Sequence, residues 1–265
     1  MRIVFLGATE LGFNCCEAII KAGHSVVGIL TLGTDFSIKY KSNPERTTVK
    51  NYLFKDFKSF EEFGIPVSVA RHPVVDYYKT IEQWMPDLII VVGWYYMIPD
   101  HIMHLPSKGV VGIHASLLPK YRGNAPLVWA MINGEKHSGV SLFYIGEGTD
   151  NGDIIDQKSF PIDESDTISN VLAKAEEKSI ELLQNNLPLI AEGKAARVKQ
   201  NEAEATYFPK RVPEDGQVDW SWDIQRIKNF IRAQTKPYPG AFTVIDGKKV
   251  ILWDADILPL QDAEN

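Results

Sequence analysis

The chain has 265 residues, of which 45% are hydrophobic and 23% are charged, and its formal net charge is −6. This length and apolar content suit one large folded domain with a small appendage. The negative charge argues against a broadly basic surface, so we expect no nucleic-acid partner. The sequence shows neither a run of about 18 apolar residues nor a charged leader, which predicts a cytoplasmic protein without a membrane partner.

The two cysteines, Cys15 and Cys16, are adjacent in a predicted helix. Neighbouring side chains on a helix point in different directions, so this pair cannot form a structural cross-link. Free thiols in a reducing cytoplasm are the simpler interpretation.

Strand and helix patterns alternate along most of the chain, beginning with a short apolar strand at residues 2–6. A glycine-bounded turn then leads into a helix that ends near Gly23, and residues 26–30 form the next strand. This order of strand, glycine turn, helix and strand predicts a doubly wound sheet that is mostly parallel. The polar segment 31–60 is predicted to include a mobile loop.

The later elements continue the same alternation. The sequence predicts strands at residues 66–70, 87–92, 109–113 and 140–145 and helices at residues 59–64, 77–85, 126–134 and 167–193. Strand 87–92 is apolar and β-branched, as buried strands of parallel sheets are. Segment 93–99 and His114 each follow a predicted strand, so both should lie at the carboxyl edge of the sheet, where open α/β sheets bind ligands.

The fold class predicted from these patterns is α/β, with a Rossmann-like twisted sheet that carries helices on both faces. This domain should span residues 1–193, followed by a polar linker at residues 194–205. The remaining residues, 206–265, have a different pattern of apolar and polar residues, which predicts a small β-rich C-terminal subdomain. Within it, Asp246-Gly247 between two apolar runs is a strong hairpin signal.

The run GIHASLLPKYRG, which begins at Gly112, and the later turn TDNGD, which contains Asp150, have the composition of a catalytic site. A histidine at the end of a strand and a carboxylate returned by a glycine turn form a pair that can move protons. Taken alone, a histidine after a strand is more often structural, and an aspartate beside glycine often only caps a turn. The flanking motif is what favours catalysis.

These two motifs, together with RIVFLG, PDLIIVVGW, YFPKRVPEDGQVDW and IRAQTKPYPGAF, resemble the 10-formyltetrahydrofolate-dependent formyltransferases over nearly the whole chain. The last two strings are similar to the sugar N-formyltransferases that act on nucleotide-linked 4-amino sugars. The resemblance implies transfer of a formyl group from 10-formyltetrahydrofolate to a dTDP-, GDP- or UDP-4-amino-4-deoxy hexose. The product would enter a bacterial surface polysaccharide such as a lipopolysaccharide O-antigen. The resemblance implies no metal and allows a homodimer.

The resemblance also implies catalytic roles. His114 would donate a proton to the oxyanion that develops on the formyl group, while Asp150 would orient the imidazole and accept the amine proton. Many relatives carry an asparagine two residues before the histidine, where its amide binds the oxyanion, but this chain has Gly112 there. Asn124 is one substitute donor, and a backbone N–H or a water is another.

Two sets of binding residues follow from the resemblance. The folate-binding candidates lie after strand 87–92, where backbone groups and rings suit a flat pterin: Val92, Gly93, Trp94, Tyr95 and Tyr96. The substrate-binding candidates offer cations for phosphates and rings for a base: Lys120, Tyr121, Arg122, Tyr207, Lys210 and Arg211. Trp94 and Tyr95 also fit a place in the core, and Lys210 and Arg211 also fit a solvated surface.

Two other functions stay open at this point. One is a methionyl-tRNA formyltransferase, although such enzymes usually carry a longer, basic C-terminal domain. The other is a folate- or nucleotide-binding protein without catalysis, an alternative that Gly112 keeps in view. Gly7 and Gly12 lack the full dinucleotide fingerprint, which argues against NAD. His101 and His104 have a spacing that suits a metal, but no third ligand pattern accompanies them.

Overall fold

The structure is a computed structural model that describes residues 1–40, 43–71 and 77–258, with the backbone alone at residues 38–40 and 43–47. The strands are β1 (Arg2–Gly7), β2 (Ser25–Leu32), β3 (Asp35–Tyr40), β4 (Asn43–Lys50), β5 (Val67–Ala70), β6 (Leu88–Val92), β7 (Val110–His114), β8 (Arg122–Gly123), β9 (His137–Tyr144), β10 (Ile154–Pro161), β11 (Tyr207–Phe208), β12 (Ala241–Ile245) and β13 (Lys248–Leu252). The α-helices are α1 (Glu10–Lys21), α2 (Tyr78–Gln83), α3 (Asp100–Met103), α4 (Pro126–Ile132), α5 (Ile168–Ala191) and α6 (Ile224–Arg232).

A seven-stranded sheet forms the centre of the fold, in the order β10-β9-β7-β6-β1-β2-β5. The five strands from β7 to β5 are parallel, while β9 is antiparallel to β7 and β10 to β9. This confirms the predicted α/β class with a mostly parallel, Rossmann-like sheet. Strand β10 was not among the predicted strands, because its central residues, Asp156-Gln157-Lys158, are polar on both faces.

Apolar side chains of β1 alternate between two cores, one on each face of the sheet. Ile3 and Phe5 pack into a cluster with helices α1, α4, α5 and α6, whereas Val4 and Leu6 pack into a second cluster with α2 and α3. The alternation follows from the two-residue period of a strand. Helices therefore cover both faces, as predicted.

The segment 31–60, predicted to include a mobile loop, contains regular structure that its composition did not predict. Its residues Asp35–Tyr40 and Asn43–Lys50 pair as an antiparallel hairpin, β3 with β4, and only residues 41 and 42 of this segment lie outside the described chain. The β-branched run Thr47-Thr48-Val49 favours a strand despite the charged residues around it. The helix predicted at residues 59–64 is a 3-10 helix, Lys58–Phe63, that ends at Gly64 with φ +74°.

The C-terminal part contains the predicted hairpin, β12 and β13. Asp246 and Gly247 both have positive φ (50° and 70°), as a two-residue turn between right-twisted strands requires. Residues 194–205, predicted as a linker, contact the large domain: Val198 exchanges backbone hydrogen bonds with Ile154. Strand β11 then pairs in parallel with β8.

Cys15 and Cys16 are free thiols inside the core, where burial raises the pKa of each. Burial keeps both thiols protonated and unreactive. None of the helices in the described parts of the chain combines the length and apolar character needed to span a membrane.

Candidate active site at the carboxyl ends of β6 and β7

His114 is the last residue of β7 and only 8% of it is exposed. Its Nε2 lies 2.8 Å from the carbonyl oxygen of Tyr121. Because a carbonyl only accepts hydrogen bonds, Nε2 carries a proton in this arrangement. The other ring nitrogen, Nδ1, faces the carboxylate of Asp150, with 3.6 Å between Nδ1 and Oδ2. The structure therefore brings the predicted histidine and aspartate together.

Asp150 lies in a tight turn after β9 and has a φ of +50°, a left-handed conformation that aspartate tolerates better than most residues. Its Oδ2 accepts a hydrogen bond from the backbone N–H of Gly123 at 2.8 Å. Two residues on, a Cβ at Gly152 would lie 1.7 Å from the Tyr144 carbonyl oxygen, so only glycine fits there. Residues in this region of φ have a higher backbone energy, and they are common at functional sites, where the position of a side chain matters.

A buried polar cluster holds the loop that follows His114. Ser141, opposite His114 in the β7–β9 register, donates to the Ser116 carbonyl (2.6 Å) and accepts from the Leu118 N–H (3.0 Å). Gln157 donates to the Leu118 carbonyl (2.9 Å) and to the Ser141 hydroxyl (2.7 Å). The sequence gives only a weak indication of this role for Ser141 and Gln157, because each is simply a polar residue within a strand.

The histidine and aspartate form a unit that can transfer protons. With Nε2–H held on a carbonyl, Nδ1 of His114 is the atom that can take up or release a proton. Asp150, directly opposite, stabilises positive charge on the ring and is itself an acceptor. Burial of the ring reduces competition from water for these interactions.

The missing side chain at Gly112 leaves no empty space beside β7. A Cβ at this position would lie 3.2 Å from Cδ1 of Ile145 and 3.3 Å from Cε1 of Phe143. A Cβ at this position would therefore meet apolar side-chain atoms of β9 and its extension at less than ordinary contact distance. Asn124, the predicted substitute, follows β8, and its Oδ1 accepts a hydrogen bond from the Arg211 backbone N–H at 3.4 Å.

Close backbone packing shapes the end of β6. The Val92 side chain is completely buried, and a Cβ at Gly12 would lie 2.6 Å from the Val92 carbonyl oxygen. Gly93 has a φ of +62°, and a Cβ there would lie 1.9 Å from the Thr9 hydroxyl oxygen. The start of α1 therefore approaches this strand end at a distance that only glycines permit.

The rings of Trp94, Tyr95 and Tyr96 are half-buried, and both tyrosine hydroxyls form hydrogen bonds within the chain. Tyr95 donates to Oδ1 of buried Asn51 (3.1 Å), and burial raises the pKa of the Tyr95 hydroxyl. Tyr96 donates to the carbonyl of Ser37 in β3 (2.9 Å). Trp94 Nε1 is buried and has no acceptor among the described residues. Tyr96 thus bonds to β3, and Tyr95 bonds to the residue that follows β4 and stacks on Phe36 of β3.

Three aromatic rings pack together next to the loop whose Tyr121 carbonyl binds His114. The Tyr121 and Phe208 rings are nearly parallel, with centroids 4.6 Å apart, and the Trp129 ring packs against Phe208 at 5.3 Å with a tilt of 34°. Burial raises the pKa of the Tyr121 hydroxyl to about 12. The Arg211 guanidinium lies over Trp129 at 4.9 Å. This aromatic stack, Tyr121–Phe208–Trp129, joins the C-terminal part to the loop that binds His114.

The structure corrects the ligand contact predicted for Arg122. Its side chain is completely buried, and its N–H groups donate to Gln200, Glu202 and Tyr207 within the chain. A ligand cannot reach a guanidinium enclosed in this way, so Arg122 has a structural role. The surrounding motif gave no sign of this, because its partners lie far along the chain.

The other cationic candidates differ in exposure. Lys120 and Lys210 are exposed, and so is the ring of Tyr207. Arg211 is half-buried and donates to the Asp215 carbonyl (2.8 Å) and to Gln234 Oε1 (2.6 Å), which leaves it little capacity for a phosphate.

The pair His101 and His104 has the surroundings of a surface helix. His104 Nδ1 lies 2.8 Å from the Asp100 carbonyl oxygen at an exposed helix end. Among the described residues, no three His, Cys, Asp or Glu side chains come together as metal ligands.

The fold and this site define an α/β enzyme with a histidine–aspartate pair at the carboxyl edge of its sheet. Residues 1–187 match the family model for the formyl transferase domain, and residues 210–265 match the model for the formyl transferase C-terminal domain. The chain belongs to the formyl transferase family and is a formyltransferase.

Relatives of this chain include proteins named as methionyl-tRNA formyltransferases and as sugar N-formyltransferases. The methionyl-tRNA formyltransferase of Caldanaerobacter subterraneus subsp. tengcongensis is 34% identical over 263 residues, covering 97% of this chain and 81% of the relative. An N-formyltransferase from Helicobacter canadensis, solved with folinic acid and dTDP-3-aminofucose, is 22% identical with a TM-score of 0.70, covering 94% of this chain and 86% of that one. A sugar N-formyltransferase from a Shewanella species is 17% identical with a TM-score of 0.72, covering 98% and 99%. Both solved structures share the fold.

We expect His114→Ala and Asp150→Ala each to lower kcat by about 10²–10⁴-fold without unfolding the protein, because each removes one half of the proton-transfer pair. The double variant should lose little more than either single variant, since the two residues act as a unit. The measurements are kcat and the thermal unfolding midpoint. His104→Ala, at the exposed helix end, is the control. A rate near wild type in either single variant would remove that residue from the mechanism.

Proposed function

We propose that the protein transfers a formyl group from 10-formyltetrahydrofolate to the amino group of a nucleotide-linked amino sugar. The observation that carries the proposal is the aromatic stack Tyr121–Phe208–Trp129, which is attached to His114 through the Tyr121 carbonyl. Aromatic faces bind nucleobases by stacking, and the exposed Lys120 and Lys210 next to the stack in sequence suit a diphosphate. The acceptor would thus be recognised beside the residue that handles its proton.

The segment after β6 fits a folate. Such a ligand needs a narrow apolar slot with a few polar groups at fixed positions, and residues 93–96 offer half-buried rings and backbone groups at the edge of the sheet. Trp94 Nε1 is a buried donor without an acceptor among the described residues, a group that a bound molecule can satisfy. The folate supplies a formyl carbon activated by its bond to a folate nitrogen. The Helicobacter canadensis relative, solved with folinic acid, supports this proposal.

The chain's own residues would manage the proton that the acceptor amine loses as its nitrogen bonds to the formyl carbon. The folate nitrogen gains a proton as its own bond to that carbon breaks, so the proton count balances. Asp150 would accept that proton and exchange it with Nδ1 of His114, which faces its carboxylate, since Nε2–H is held by Tyr121. Asp150 stabilises the protonated ring and stays in place through the Gly123 N–H. The low exposure of His114 limits the access of water, which would otherwise compete as acceptor.

Charge favours a small anionic acceptor over a nucleic acid. Residues 206–265 contain eight Lys or Arg and nine Asp or Glu, a net charge of 8 − 9 = −1, and the whole chain carries −6. Binding to tRNA depends on several cations that neutralise phosphates along an extended surface. A nucleotide sugar needs only one or two.

Methionyl-tRNA formyltransferase is the second candidate, because relatives at 34% identity with that name cover 97% of the chain. Both candidates share the donor and the proton chemistry, so His114 and Asp150 do not distinguish them. The distinction rests on the acceptor alone.

An acceptor panel tests the proposal. We expect the purified protein, given 10-formyltetrahydrofolate, to formylate at least one dTDP-, GDP- or UDP-linked amino sugar, with mass spectrometry showing the gain of one formyl group. Asp150→Ala is the inactive control. Activity should fall only modestly with added salt, since few phosphates are contacted. Turnover of charged initiator tRNA, with none of any sugar, would replace this proposal with the second candidate.

We propose that Asn124 supplies the oxyanion donor that Gly112 cannot. Its Oδ1 accepts a hydrogen bond from the Arg211 backbone N–H. The Nδ2 group of the same amide therefore points away from that N–H. We expect Asn124→Ala to lower kcat by about 10²–10³-fold with little change in KM. Asn124→Asp keeps the acceptor for Arg211 but removes the donor, and should lose as much. Rates near wild type in both variants would assign the donor to a backbone N–H or a water.

We also propose that the protein is a homodimer in the cytoplasm, where the buried thiols stay reduced. The β12–β13 hairpin and its surroundings expose a set of large apolar side chains: Trp220, Val244, Ile245, Val250 and Trp253. A patch of this kind is typical of a protein interface. We expect Ile245→Glu to convert a dimer into a monomer in light scattering, while Leu189→Glu, at an exposed position of α5, leaves the mass unchanged. A monomeric wild type would contradict the proposal.

A further inference from the structure

The segment of residues 198–208, here called the strap, runs back from the end of the large domain against the loop that binds His114. At one end, Val198 exchanges two backbone hydrogen bonds with Ile154, at 2.8 and 2.9 Å. At the other end, Tyr207–Phe208 pairs in parallel with β8. The strap is thus anchored at both ends, and its central side chains have fixed positions.

Gln200, in the middle of the strap, uses the full hydrogen-bonding capacity of its carboxamide. Its Nε2 donates to the carbonyls of Asp150 (2.8 Å) and Gly152 (2.7 Å). Its Oε1 accepts from Nε (3.1 Å) and Nη2 (2.7 Å) of Arg122. A carboxamide has two N–H donors and two lone pairs, so none is left for another partner. Gln200 therefore connects the turn that carries Asp150 to Arg122.

Arg122 is a rigid anchor for this connection. A guanidinium has five N–H groups, and those not bonded to Gln200 form a two-point ion pair with Glu202 (2.9 and 2.7 Å) and a hydrogen bond to the Tyr207 hydroxyl. The ion pair raises the pKa of Arg122 and lowers that of Glu202, so both stay charged. Planar, two-point pairing of this kind fixes orientation as well as distance.

We propose that Gln200 is a positioning residue that holds the Asp150 turn so that Oδ2 faces Nδ1 of His114. Asp150 has a φ of +50°, a left-handed conformation that is less favourable than extended or helical backbone, so a constraint from its surroundings helps to keep it. The two bonds from Gln200 to the carbonyls on either side of Asn151 provide that constraint. The inference rests on the proposed role of His114 and Asp150 in formyl transfer.

Residues 121–123, in β8 and the loop before it, each hold a different part of the site. The Tyr121 carbonyl holds His114 Nε2, the Arg122 side chain holds Gln200, and the Gly123 N–H holds the Asp150 carboxylate. The backbone and the carboxylate of the aspartate are thus fixed from the same short strand. Loss of Gln200 would free the backbone of the turn and leave the carboxylate with a single bond to this strand, from the Gly123 N–H.

Two substitutions test the proposal. Gln200→Glu keeps acceptors for Arg122 and replaces the donor with an oxygen that faces two carbonyls, while Gln200→Leu removes both sets of bonds. In protein labelled with ¹⁵N-histidine and assigned with His114→Ala, we expect both variants to move the His114 ring resonances towards their positions in Asp150→Ala. With the acceptor present, kcat should fall by roughly 10–100-fold, as for a misplaced catalytic group, with the folate KM unchanged.

Lys199→Gln, at the exposed side chain next to Gln200, is the matched control and should equal wild type in both measurements. Wild-type His114 resonances in folded Gln200→Glu would overturn the proposal. Loss of the fold in that variant would also overturn it, since Gln200 would then serve overall stability. The resonances require no acceptor. An acceptor panel without turnover would therefore contradict the proposed function while this test still decides the role of Gln200.

Discussion

The burial of the Arg122 guanidinium is the constraint on which the site depends. A cation removed from water is stable only when its N–H groups all find acceptors, and here those acceptors come from Gln200, Glu202 and Tyr207. These partners lie 78 to 85 positions further along the chain. Satisfying one cation therefore fixes the path of the strap, and with it the turn that carries Asp150.

The central sheet supplies the other half of the arrangement. Because β6 and β7 are parallel neighbours in register, with Val92 beside Ile113, the segment after β6 and His114 emerge side by side at one edge. The glycines at positions 12 and 93 let α1 approach that edge closely. The site thus combines a rigid sheet edge, which places the histidine, with a loop and strap, which place the carboxylate.

Local patterns predicted most of the scaffold. The apolar runs of β1, β6 and β7 and the Asp246-Gly247 turn give signals that depend only on neighbouring residues. The patterns failed where polar residues occupy strands, at β10 and at the β3–β4 hairpin. At β10 the pairing with β9 stabilises the extended backbone, whereas in the hairpin the charged residues around a β-branched run obscured its preference for a strand.

The sequence by itself determined the order of elements, the α/β class, the formyl transferase resemblance and the pairing of His114 with Asp150, because these rest on periodicity and on short contiguous motifs. Only the tertiary structure decided what individual side chains do. It buried Arg122, which the motif presented as a ligand contact, and filled the space at Gly112 with Ile145. It also brought the Gln200 carboxamide into hydrogen-bonding contact with the Asp150 carbonyl. Such roles depend on contacts between residues distant along the chain, and a folded backbone is what brings those residues within hydrogen-bonding distance.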